Sequence, residues 1–114
     1  MRREIITTAD GSTTIRLPDL DEHYHSKFGA IQEARHVFIQ NGLALFKNQN
    51  IHILEIGFGT GLNALMTLAE KDNYNLNIHY VGVEAYPISA SEVSSMNYAR
   101  ELGVDHVLDR KSVV

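Results

Sequence analysis

The stretch Ile51-His52-Ile53-Leu54-Glu55-Ile56-Gly57-Phe58-Gly59-Thr60-Gly61-Leu62-Asn63-Ala64 decides the fold. An apolar run ends in a carboxylate, three glycines alternate with larger residues, and helical spacing begins. This is how a chain passes from a buried parallel strand into a helix while leaving room for a ligand. Glycine lets such a turn reach positive φ and lets backbone amides approach a bound group with no Cβ in the way. The stretch therefore predicts a nucleotide-cofactor pocket.

On either side of it the pattern is α/β. Asn48 to Asn50 reads as a turn into the strand Ile51 to Ile56, and Gly61 to Glu70 as a helix with Leu62, Leu65, Met66 and Ala69 on its inner stripe. Asn77 to Glu84 reads as a second strand. Pro87 suits a first helical position, with Ile88 to Leu102 following as a helix that Gly103 ends; Val93, Met96, Ala99 and Leu102 are its expected buried residues. From residue 51 onward the order βαβα implies parallel strands and a right-handed crossover.

Upstream, the β-favouring runs Glu4 to Thr8 and Thr13 to Leu17 flank Asp10-Gly11, a hairpin signal, and Pro18 closes the second run. Asp19 to Phe28 reads as a polar loop. Gly29 to Asn41 has helical spacing, with Ser26 as its cap, Ala30, Ala34, Val37 and Phe38 on one face, and Asn41-Gly42 as its stop. His36 is expected to pack on this helix.

With 114 residues, 44% of them apolar, the chain has material for one domain and a core. No run reaches the roughly 18 apolar residues of a membrane span, and Arg2-Arg3 lead into no signal-like segment, so a cytoplasmic protein is expected. The absence of cysteine excludes disulfides, thiolate metal sites and a cysteine nucleophile. His23 and His25 form an H-x-H pair without a suitable third ligand, so no metal site is expected. His52 and His79 are expected at the less buried ends of strands. A net charge of −4 with scattered basic residues gives no patch for nucleic acid.

The glycine pattern is G-x-G-x-G. A dinucleotide fingerprint needs glycine where Leu62 stands. Glu55, just before the turn, is a poor neighbour for a pyrophosphate and a good one for an ammonium. This charge logic favours S-adenosylmethionine, which has no phosphate and carries a cationic amino group, over NAD. Glu84, at the end of the second strand, is placed to accept the hydrogen bonds of both ribose hydroxyls. Two alternatives stand beside this: a nucleotide- or NAD-binding module, and a non-catalytic binding domain whose glycines only permit a tight turn.

Tyr24-His25-Ser26, Gln32-Glu33-Ala34-Arg35-His36-Val37-Phe38-Ile39, Asn41-Gly42-Leu43 and Glu55-Ile56-Gly57-Phe58-Gly59-Thr60-Gly61-Leu62-Asn63 together resemble the tRNA wobble-uridine methyltransferases of the MnmC/MnmD type. The resemblance covers about residues 4 to 108. It implies methyl transfer from S-adenosylmethionine to the primary amine of an aminomethyl-uridine in tRNA, an in-line displacement that needs the amine aligned and neutral.

Carried over by motif, Glu55, Gly57, Phe58, Gly59, Thr60, Gly61 and Asn63 would hold the methionine part and Glu84 the ribose, with Tyr24 and Glu33 near the cofactor from an N-terminal lid. Arg35 is expected in a surface salt bridge. The resemblance puts the catalytic acid on a later strand, so no catalytic residue is named and the chain alone is expected to be inactive. An FAD-dependent oxidase domain, fused in some relatives, is not represented.

The expected organisation is a lid of hairpin, loop and helix over 1–48, then over 49–108 the first βαβα part of a Rossmann-like class I methyltransferase sheet, truncated. Asp109-Arg110-Lys111-Ser112-Val113-Val114 is the translation of GATCGGAAGAGCGTCGTG, a common sequencing-adapter string, so 109–114 is expected to be a non-native tail.

Overall fold

The computed structural model describes residues 2–103; the tail at 109–114 lies outside the described residues. The element order is β1 (Glu4–Thr7), β2 (Thr13–Leu17), β3 (Glu22–His23), α1 (Ala30–Ala34), a π-helical segment (Arg35–Gln40), a 3-10 turn (Leu43–Phe46), β4 (Asn50–Ile56), α2 (Leu62–Glu70), β5 (Asn77–Val83), α3 (Ala90–Ser95) and α4 (Tyr98–Glu101). β1, β2 and β3 form an antiparallel sheet in that order, and β4 pairs with β5 in parallel, in register from Asn50–Asn77 to Ile56–Val83. The mixed α/β pattern and the parallel pair agree with the sequence. The two-residue strand β3, inside the expected polar loop, was not foreseen.

The core lies where α1, the π-helical segment, α2 and the inner face of β4–β5 meet, around Ala30, Ile39, Leu62, Leu65 and Met66. Strict alternation along β4 turns Ile51 and Ile53 inward. Leu54 and Ile56, on the other face, are 65% and 75% exposed. No helix among the described residues is long and apolar enough to cross a membrane.

Three local expectations are corrected. Ser26 does not cap α1. The N-cap is Gly29, which has no side chain, and the hairpin loop supplies the acceptors from a distance: Thr8 Oγ1 accepts from Ala30 N at 3.1 Å, Ser12 Oγ from Ile31 N at 3.1 Å, and Asp10 Oδ2 from Gln32 N at 2.9 Å. A Cβ at residue 29 would stand 2.9 Å from Asp10 Oδ2, so glycine is what lets the loop come this close.

The helix also does not keep one winding. From Arg35 it widens, with Asn41 N bonding His36 O, so Ile39 rather than Val37 follows Ala30 and Ala34 into the core. Val37 is 61% exposed, and His36 is exposed rather than packed.

Finally, Ile88 to Leu102 is two short helices, not one starting at Pro87. Ser89 is the N-cap of α3, in a capping box with Glu92. Ser94 and Ser95 turn their hydroxyls back onto Ala90 O and Ser91 O, and the helix ends. Tertiary bonding then claims Asn97: its Oδ1 accepts from Thr13 N at 2.9 Å and Thr13 Oγ1 at 3.0 Å, while its Nδ2 donates to Gly11 O at 2.9 Å. Tyr98 is the buried residue of this region, and Val93, Met96, Ala99 and Leu102 are half-buried.

Asp10 holds the hairpin loop together. Its Oδ1 accepts from Thr8 Oγ1, Ser12 N and Ser12 Oγ. Burial works against the charge, but hydrogen bonds from Ser12, Gln32 and Thr8 outweigh it and hold the carboxyl below its ordinary pKa. A carboxyl depressed on folding adds stability above its unfolded pKa and loses it as pH falls through the folded value. Asp10→Asn is therefore expected to lower stability near neutral pH. Urea unfolding should show a constant gap to wild type above about pH 5 and a gap that narrows as pH falls below about 4.

Candidate functional site

The turn after β4 uses its glycines as glycines. Gly57, Gly59 and Gly61 have φ of 81°, 61° and 82°, where a side chain is strained. The turn is pinned to the end of β5, because Gly57 N and Phe58 N both donate to Val83 O, at 2.8 and 3.1 Å. Gly61 N donates to Phe58 O and then serves as the N-cap of α2 without a side chain.

Phe58 does not project from the turn into open space. Its half-buried ring lies against Gly61 and Gly82, and a Cβ at either glycine would collide with it. Around Gly57 a Cβ would meet nothing within 4 Å. The open side of the bend is thus at Gly57.

The two acidic residues named from the sequence both sit at this bend, and both are engaged. Glu84 Oε1 accepts from Gly59 N at 2.7 Å and Oε2 from Tyr86 N at 3.1 Å. Glu55 is on the inner face of β4, where Oε2 accepts from Asn63 Nδ2 at 2.8 Å and Oε1 from the Tyr80 hydroxyl at 2.6 Å. Burial, followed by the hydrogen bond and charge of Glu55, raises the Tyr80 pKa far above its ordinary value, so this phenol stays a donor. Each carboxylate oxygen still has a free lone pair for a ligand.

From the N-terminal segment, Tyr24 reaches the turn. Its ring carbon Cδ2 stands 3.4 Å from where a Cβ of Gly59 would be, and its amide is held by Ile15 O. Glu33 is directed elsewhere: its Oε1 accepts from Ser26 N at 3.1 Å, and its charge bears on His25. His25 is held below its ordinary pKa, with burial as the first cause and Glu33 opposing, and its Nδ1 pairs with Thr14 Oγ1 at 2.9 Å. Arg35 bridges to Glu70 at 3.0 Å, the salt bridge expected of it.

Thr60 Oγ1 and the Tyr98 hydroxyl are buried without a partner of hydrogen-bonding geometry among the described residues. Burial pushes the Tyr98 phenol up to about 12, with the nearby Thr60 and Thr14 hydroxyls pulling the other way. Both hydroxyls are closed off inside the fold and do not face the open side of the bend. Among the described residues no group of three or more His, Asp or Glu is placed to hold a metal ion.

Sequence reasoning missed Tyr80, Gly82 and Tyr98. Alternation along β5 puts Tyr80 on the same inner face as Glu55, a signal that was legible. Gly82 and Tyr98 act through contacts distant in sequence and gave none.

The ring of Phe58 and the bare backbone of Gly82 are mutual requirements. Gly82→Ala is expected to destabilise the chain by about 1–3 kcal/mol, as overpacking does. Denaturant unfolding of Gly82→Ala, Phe58→Ala and the double variant tests this: the double change should cost clearly less than the sum of the single ones.

No family model matches the chain. A protein of Leptospira borgpetersenii named tRNA 5-methylaminomethyl-2-thiouridine biosynthesis bifunctional protein MnmC is 42% identical over 82 residues, which are 65% of this chain and 13% of that protein. A protein of the same name from Hydrogenovibrio crunogenus is 29% identical over 109 residues, 88% of this chain and 16% of that one. The chain thus spans well under a fifth of the length of these curated relatives. Among solved structures, the crystal structure of MnmC2 from Aquifex aeolicus matches with a TM-score of 0.66 and 33% identity, covering 77% of this chain and 31% of that one. Agreement in sequence and in backbone places the chain, as a part-length sequence, in the MnmC-type family.

Proposed function

We propose that the chain carries the first part of an S-adenosylmethionine site in a methyltransferase acting on the aminomethyl group of wobble uridine in tRNA. The observation that carries this reading is the 2.7 Å hydrogen bond from Gly59 N to Glu84 Oε1. It brings the strand-end acid against a bend whose three glycines all have positive φ and whose open side is bare at Gly57. On this reading β4–α2–β5 begins a Rossmann-like class I sheet over residues 49–108, and residues 1–48 form its lid. The names of the relatives, which specify 5-methylaminomethyl-2-thiouridine biosynthesis on tRNA, support the substrate class.

When bound, the cofactor would supply an electrophilic methyl group for a neutral amine. The chain's own residues would bind and orient it. Glu84, fixed by two backbone amides, offers its free lone pairs to the ribose hydroxyls. Glu55, held by Tyr80 and Asn63, sets negative charge beside an ammonium, while Gly57, Gly59 and Gly61 leave the backbone accessible. Tyr24 covers Gly59 and would keep water from that side.

A dinucleotide is disfavoured by Leu62. It stands where that fingerprint needs glycine, and its side chain is 1% exposed within the core.

Calorimetry tests the reading. S-adenosylmethionine should bind the chain and NADH should not. Glu84→Gln keeps an acceptor for Gly59 N but loses the charge, and should weaken binding roughly tenfold or more. Equal affinity in wild type and variant would remove Glu84 from the site. Binding of NADH in place of S-adenosylmethionine would remove the cofactor assignment.

A further inference from the structure

On the outer face of β4–β5, away from the glycine bend, two histidines stand side by side. His52 and His79 are register partners on the parallel strands, both exposed, with ring centroids 5.2 Å apart and planes inclined by 43°. Neither imidazole is hydrogen-bonded to a side chain among the described residues, and the proposed methyl-transfer site makes no use of either.

The separation has a chemical meaning. In zinc sites the Zn–N distance is about 2.0–2.1 Å, which puts the centre of an imidazole about 3.2 Å from the ion. Two imidazoles on one tetrahedral ion then have centres about 5.2 Å apart, whereas ligands at right angles have them about 4.5 Å apart. The observed spacing is the tetrahedral one. Strand pairing fixes the two backbones, so little ordering remains to be done on binding. One register step along the same face, Asn50 pairs with Asn77, and both are exposed.

We propose that His52 and His79 form a chelating site for a zinc ion on the outer face of the parallel pair. Two protein ligands leave two coordination positions to water or to a further donor. The site is therefore exchangeable, not a closed structural one. The other histidine pair in the sequence, His23 and His25, is a weaker candidate, since both are half-buried and the His25 ring packs edge-on to Tyr98 at 6.3 Å.

The test is a zinc titration of the full chain, made without a polyhistidine tag, followed by calorimetry and by NMR of the imidazole resonances. One zinc per chain should bind with a dissociation constant on the order of 10–100 μM, shifting the His52 and His79 ring signals and leaving those of His25 in place. His52→Ala and His79→Ala should each abolish this binding with unchanged circular dichroism, as expected for exposed positions. His52→Gln and His79→Gln serve where an alanine variant folds poorly. Magnesium should not compete. Undetectable zinc binding at millimolar concentration, or undiminished binding in both variants, would overturn the site.

Discussion

A helix begins with amide groups that have no partner of their own, and in this chain the hairpin loop is what receives them. Thr8, Asp10 and Ser12 accept the first amides of α1, which joins the antiparallel sheet to the helical layer by hydrogen bonds instead of apolar area alone. That junction fixes where the following segments lie. With α1 held against the loop, Ala30 and Ala34 enter the core, and the segment between β3 and α1 returns Tyr24 to Gly59. The N-terminal segment and the glycine bend thus meet through a cap made by residues distant in sequence.

At the bend itself, backbone and carboxylate support each other. Val83 O takes two amides of the turn and Glu84 takes a third, so the end of β5 holds the loop that follows β4. Phe58 fills the space beside Gly82 that any larger residue would claim. Glu55 is set by a phenol and an amide from two different elements. The carboxylates consequently keep fixed orientations.

Much of this was legible because the signals were local. Alternation and length identified β4 and β5, and the glycine spacing marked the bend. The stripe of Leu62, Leu65 and Met66 oriented α2 correctly. Asp10-Gly11 marked the hairpin turn, although not its use as a cap. What escaped depends on partners far along the chain. No rule of local capping finds Asp10 opposite Gln32. A period of 3.6 cannot anticipate the wider winding that exchanges Val37 for Ile39. Helical spacing over Ile88 to Leu102 ignores the bonds by which Thr13 and Gly11 claim Asn97. At the bend, the two glutamates were readable as residues and alternation along β5 put Tyr80 on the face of Glu55, while the room that Gly82 leaves for Phe58 depends on how the turn folds back against β5.

Asn97 also bears on how the chain acquires its shape. Its bonds to Thr13 and Gly11 join positions 84 and 86 residues apart. Closing a loop of that size carries an entropic cost of about 4 kcal/mol, which is incurred before the contact returns anything. The first strands made during synthesis must wait for nearly the whole described chain before this partner emerges. Such long-range closure belongs to the slow end of folding, with sheet edges exposed in the interval.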